Sequence, residues 1–117
     1  MVKLLVLLAR RDGMSQEAFE LHVRKHHLLP ITQLPGLRRL LVNRVLPDPR
    51  NPAPTYDAIA ELWFDDFATV GAAFASPAGQ AVTADAPNFL DMRRFQVLFV
   101  VEESVPLPTG PSMSPAT

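Results

Sequence analysis

Three histidines, His22, His26 and His27, fall within six consecutive positions, and the 117-residue chain has no others. A neutral imidazole takes up a proton at physiological pH, and a carboxylate beside it orients the ring and raises its basicity. His27 is therefore a candidate general base or ligand donor, with Glu61 or Asp57 as the supporting carboxylate. The plainer reading of His27 is a residue at a helix end interacting with the helix dipole. His22 and His26 are four apart, so a regular helix presents them on one face, at a spacing that metal sites also use. No carboxylate motif accompanies them. They read as structural or substrate-contacting side chains, and no metal is expected.

The other chemistry-bearing residues sit on two strands. Asp57 and Glu61 share one face of a strand, about 13 Å apart between Cα atoms, too far to cooperate as an acid pair. Each would act alone, and for Glu61 an ion pair with Arg38, Arg39 or Arg44 is an equally good assignment. Ile59 and Trp63 stand on that same face and fit a ligand wall, a core or a subunit interface. On the preceding strand Arg39 and Asn43 share a face and could bind a carboxylate or carbonyl group, although a solvent-facing arginine is the default.

The elements that must position these groups are readable in order. Val2 to Ala9 is a continuous apolar run closed by Arg10, Arg11, Asp12 and Gly13, the pattern of a strand covered on both faces. Ser15 suits a helix N-cap, with Glu17 in the first turn. Phe19, His22, Val23, His26 and Pro30 follow at helical spacing, and Pro30 should bend or restart that helix because it lacks an N–H. A second strand is predicted over Leu37–Leu46 and a third over Tyr56–Phe64. Four prolines in the eight residues 47–54 make the connection between them a loop, long for a hairpin. Phe67–Ala75 reads as a helix, and Ser76-Pro77 opens another towards Ala84 or Asp91. The last strand is predicted over Arg93–Glu102, with Phe95, Val97, Phe99 and Val101 alternating against Gln96, Leu98 and Val100. Residues 1–105 are expected to form one domain, and the Pro/Ser-rich stretch 106–117 a disordered tail.

Composition narrows the partners. A net charge of −1 with interleaved signs builds no basic stripe, so nucleic acid is not expected. The one long apolar run is too short to span a bilayer, no signal-type cleavage site follows it, and a cytoplasmic protein without membrane contact is expected. The absence of cysteine excludes thiol catalysis and suits a reducing compartment. No glycine-rich loop cradles a phosphate, which argues against a nucleotide cofactor. The order β-α-β-β-α-β gives an α+β fold, a ferredoxin-like antiparallel sheet with both helices on one face. Strands one, two and four nevertheless carry apolar side chains on both faces. The uncovered face is most simply closed by a second copy, so a homodimer is expected.

Two segments resemble a known family. Phe19-Glu20-Leu21-His22-Val23-Arg24-Lys25-His26-His27 followed by Leu34-Pro35-Gly36-Leu37-Arg38-Arg39 is similar to the first motif of EthD-domain proteins, in which a histidine, here His27, precedes the proline of Leu-Pro-Gly-Leu by eight residues. Asp57-Ala58-Ile59-Ala60-Glu61-Leu62-Trp63-Phe64 is similar to the second motif, and Asp85 with Asn88-Phe89 is a weaker third match. The same motifs resemble methylmuconolactone isomerases. The resemblance implies a dimeric α+β barrel whose pocket, between helices and sheet, holds a small apolar or aromatic organic ligand. It further implies cofactor-free proton-transfer chemistry of isomerase, decarboxylase or dehydratase type. A cofactor-free monooxygenase, or a non-catalytic accessory or carrier protein for an oxidase, is the alternative. Other families on this dimeric barrel bind haem, for which His27 would be the axial ligand, but the resemblance is to the haem-free branch, so no haem or other cofactor is expected. Family members often carry a tyrosine where this chain has Leu40, so a mechanism that needs a phenol there does not transfer.

Overall fold

Burial alternates along the first strand, β1 (Val2–Leu8): Val2, Leu4 and Leu8 are buried, while Lys3, Leu5 and Leu7 on the other side are only partly covered. One face of this strand meets a helix layer and the other does not. The structure, a computed structural model, describes residues 1–109; of the expected tail, 110–117 lie outside the described residues and 106–109 form no regular element. After β1 come α1 (Gln16–His22), a π-helical turn (Val23–His27) and α2 (Leu28–Thr32). Then follow β2 (Arg39–Arg44), β3 (Ala58–Phe64), α3 (Phe67–Ala75), α4 (Pro77–Phe89) and β4 (Gln96–Val100). The sheet is antiparallel throughout in the order β2-β3-β1-β4, the ferredoxin-like α+β arrangement expected.

Three helix starts are fixed by side-chain caps. Ser15 accepts from Ala18 N–H at 3.1 Å, Asp66 from Thr69 N–H at 2.8 Å, and Ser76 from Gly79 N–H at 3.2 Å, with Pro77 at the first helical position of α4. Between α2 and β2, Gly36 adopts φ +81°, and a Cβ there would run into the Thr69 side chain, so that turn requires glycine twice over. The strands themselves are shorter than their apolar runs: β2 and β4 are edge strands, and residues beyond Arg44 and before Gln96 leave the ladder.

The core lies between the inner sheet face and the helices. Leu4, Ala60, Leu62 and Phe64 pack with Ile31, Leu34, Val70 and Ala73, and Leu8 and Ala58 pack with Phe19, Val23, Ala86 and Phe89. Phe19, Phe64 and Phe89 are the largest fully buried side chains, each contributing about 1.5–3 kcal/mol of apolar burial. The β1–β3 register sets Lys3 opposite Trp63, Leu5 opposite Glu61 and Leu7 opposite Ile59, so these six residues share the outer face. Arg39, Leu41 and Asn43 join that face from β2, and Gln96, Leu98 and Val100 from β4.

Candidate active site

The helix that starts at Ser15 is not uniform. A regular α-helix would press the Pro30 ring against the carbonyl of His26, and Pro30 has no N–H to offer it. The chain widens just before that point, over Val23–His27, where Leu28 N–H bonds to Val23 O, five residues back. The widening has a chemical consequence. In an α-helix residues five apart point about 140° away from each other, but here His22 and His27 turn to the same carboxylate on α4.

That carboxylate is Asp85. His22 Nε2 lies 2.9 and 3.0 Å from its two oxygens, His27 Nδ1 lies 2.9 Å from Oδ2, and Asn88 Nδ2 donates to Oδ1 at 3.2 Å. Burial works against the charged form of Asp85, but the hydrogen bonds from His27, Asn88 and His22 outweigh it and leave its pKa below the usual value. An ionised carboxylate can only accept. His27 therefore carries its proton on Nδ1 and presents a lone pair at Nε2. That atom has no hydrogen-bond partner among the described residues, and His27 lines the adjoining cavity. Burial chiefly holds the His27 pKa below its usual value, opposed by the hydrogen bond and charge of Asp85, with the charge on His22 adding to the lowering. Phe89 wedges the rings in place, stacked on His22 at 4.5 Å and tilted against His27 at 4.7 Å.

The cavity has a volume of about 300 Å3 and lies between the inner sheet face and the helices. Leu4, Val6, Leu8, Ala60 and Leu62 make its floor, and Val23, Leu28, Ile31, Val70, Val82 and Ala86 its roof. Val42, Met92, Val97 and Phe99, all substantially exposed, also line it. Among the described residues His27 and Thr83 supply its only polar side chains, and the Thr83 hydroxyl donates to Gly79 O at 3.1 Å. Among the described residues no lysine, arginine or carboxylate lines it.

The remaining candidates settle elsewhere, and several expectations are corrected. Neither Asp57 nor Glu61 supports His27. Asp57 accepts the backbone N–H of Arg10 at 2.8 Å, fastening the exit of β1. Glu61 is on the outer face, where it accepts from Lys3 Nζ at 3.0 Å and Asn43 Nδ2 at 2.9 Å; these bonds, Asn43 first, lower its pKa. Its ion-pair partner is thus Lys3, not an arginine of β2. Arg39 lies over the Trp63 ring at 4.7 Å, and Lys3 over the same ring at 4.9 Å. The register of β2 on β3 brings Arg39 and Asn43 beside Ile59, Glu61 and Trp63, all on the outer face and away from the cavity. His22 reaches Asp85 without lining the cavity, and His26 is exposed with its ring 5.1 Å from that of His22. Among the described residues no group of three or more His, Cys, Asp or Glu side chains is arranged to hold a metal ion. The residue that sequence reasoning left without a role is Asp85, although the Asp85, Asn88, Phe89 match marked the right turn of α4.

The model of the EthD domain matches residues 11–93, which include the whole His22, His27 and Asp85 cluster. The chain belongs to the EthD domain family. An uncharacterized 11.0 kDa protein in the thcB-thcC intergenic region of Rhodococcus erythropolis is 36% identical over 88 residues, covering 75% of this chain and 84% of that protein. Among solved structures, an EthD family protein of Bacillus halodurans C-125 superposes with a TM-score of 0.76 at 25% identity, covering 88% of this chain and 99% of the other. A dimeric protein of unknown function and ferredoxin-like fold from Bacteroides fragilis NCTC 9343 gives a TM-score of 0.65 at 16% identity, covering 85% and 93% of the two chains. No helix of this EthD domain is long and apolar enough to cross a membrane among the described residues.

Proposed function

We propose that this EthD-domain protein binds an uncharged, largely apolar organic molecule in the cavity and abstracts a proton from it with His27, without a cofactor. The observation that carries this reading is the bare Nε2 of His27 in an apolar wall, its tautomer fixed by Asp85 on the far side of the ring. A base held neutral by burial is ready to accept at neutral pH. Apolar walls without a countercharge disfavour a carboxylate or phosphate ligand, because a buried unpaired charge is costly. An aromatic, lactone or polyketide-like compound with one acidic C–H beside a carbonyl suits both the size of the cavity and the single base. Isomerisation and dehydration both draw on such a step, the proton leaving carbon for His27 Nε2.

The outer sheet face supports a homodimer in this reading. Leu41 and Leu98 are exposed there, Leu5, Leu7 and Ile59 are only partly covered, and the Bacteroides relative of the same fold is dimeric. The test of the chemistry is proton exchange. The protein is incubated in D2O with a panel of aromatic enols and unsaturated lactones, and C–H to C–D conversion is followed by NMR. The expected result is exchange into a bound compound that His27→Gln abolishes while binding persists. Binding without exchange in the unaltered protein would instead favour the carrier role, which an almost wholly apolar wall also fits.

A further inference from the structure

His22 takes no part in the cavity, yet it makes the more extensive contact with Asp85, reaching both carboxylate oxygens where His27 reaches one. Its ring lies nearly flat on the fully buried Phe89, 25° from parallel, which fixes the direction of Nε2. His22 is also on the solvent side of the cluster, with 20% of its side chain exposed against 6% for His27. A carboxylate on a helix has free rotation about its side-chain bonds unless several partners define its plane, and here a donor on each side does so.

We propose that His22 is a positioning residue: by donating Nε2–H to Asp85 it locks the carboxylate in the orientation that keeps the proton of His27 on Nδ1 and the lone pair on the cavity side. Among the described residues no other charged group shares this task. Lys25, Arg24 and His26 on the same helical stretch are exposed, α2 contributes no titratable side chain, and the inner sheet face opposite is Leu4, Val6, Leu8, Ala60 and Leu62. From α4 only Asp85 and the neutral Asn88 face the pair. The bare nitrogen at the cavity wall therefore depends on a histidine that does not line the cavity.

The part of this proposal that concerns reactivity rests on the general-base reading above; the part that concerns the tautomer does not, and the experiment separates them. With only three histidines in the chain, the imidazole 15N signals of ligand-free protein can be assigned by substitution. Unaltered protein should show His27 with Nδ1 protonated and Nε2 bare. His22→Phe keeps the stack on Phe89 but has no donor, and His22→Asn is polar but too short to reach. Both should leave His27 as a mixture of tautomers. His22→Gln, whose amide nitrogen occupies the place of Nε2, should restore the single tautomer. If His27 keeps its tautomer in His22→Phe or His22→Asn, or if His22→Gln fails to restore it, the positioning role is wrong. With a compound that exchanges, His22→Phe should lower kcat about 10- to 100-fold with KM little changed, and His22→Gln should recover most of it. A tautomer shift without any detectable exchange in the unaltered protein leaves the positioning role standing and sinks the general-base reading alone.

Discussion

Replacing Asp85 with asparagine tests the centre of the site with almost no change in shape. The carboxylate accepts from His22, His27 and Asn88 at once. An amide in its place has one accepting oxygen and one donating nitrogen, so an imidazole nitrogen left facing only the amide nitrogen meets a donor, and that ring moves its proton to the other nitrogen. If the ring is His27, Nε2 becomes a donor and the base is gone. Hydrogen bonds to a charged group contribute about 1.5–3 kcal/mol and neutral ones about 0.5–1.5, so two imidazole contacts lose roughly 2 kcal/mol together. Relief of the burial that works against the Asp85 charge returns part of this, leaving about 1–2 kcal/mol. For a domain of this size each kcal/mol is about 4–8 °C of melting temperature, and Asp85→Asn should melt roughly 4–16 °C lower at neutral pH. The sign with pH follows from the lowered pKa of Asp85. Its contribution is present above the ordinary carboxylate range and is lost as pH falls through the folded value, so the gap between the two proteins should close in acid. Calorimetry or urea melts read the stability, 15N imidazole signals the tautomer, and exchange of a bound compound the chemistry, which should fall about 10²- to 10⁴-fold. Equal melting temperatures together with an unchanged His27 tautomer would refute the reasoning, since both consequences come from the same three bonds.

Two further outcomes are expected. His27 titrates below 6.5 in the folded protein and near 6.5 when unfolded, so its contribution to stability is present above pH 6.5 and is lost as pH falls from there through the folded value; denaturant melts should show this loss and His27→Gln should lack it. On the outer sheet face, Leu98→Glu places a charge where a second copy is proposed to pack, and light scattering should give a dimer mass for the unaltered protein and a monomer mass for the variant; a dimer that survives the change argues for another interface.

The fold was legible because its signals are local. Alternation in Ala58–Phe64 separates Ala60, Leu62 and Phe64 from Ile59, Glu61 and Trp63 without reference to the rest of the chain, and Ser15 and Ser76-Pro77 mark helix starts by their own chemistry. Edges were less so. Leu37–Leu46 and Arg93–Glu102 are apolar beyond the point where partners exist, and only the lengths of β1 and β3 decide where pairing stops. The outer cluster was legible in halves: spacing puts Arg39 with Asn43 on one strand and Glu61 with Trp63 on the next, and the register of β2 on β3 joins them. Its relation to the cavity was not, because alternation says which residues share a face and never which face the helices cover.

The site itself shows where periodicity fails as a guide to chemistry. Counting by 3.6 residues pairs His22 with His26 and turns His27 away from both. The π-helical turn inserts one residue into that count, so His22 and His27 share a carboxylate and His26 is left to solvent. Pro30 announced an irregularity in the helix, and the irregularity came one turn earlier, at the residues whose carbonyls a proline ring and a missing N–H disturb. The same proline that interrupts the hydrogen bonding thus aims the base. Asp85 was left without a role for a different reason: a carboxylate 58 residues from His27 becomes its partner only once α4 is laid against the π-helical turn, and that packing is carried by Phe19, Val23, Ala86 and Phe89. A histidine in a widened helical turn just before a proline, facing an acid on the other helix of the layer, is therefore a better sequence pointer to this site than any spacing among the histidines themselves.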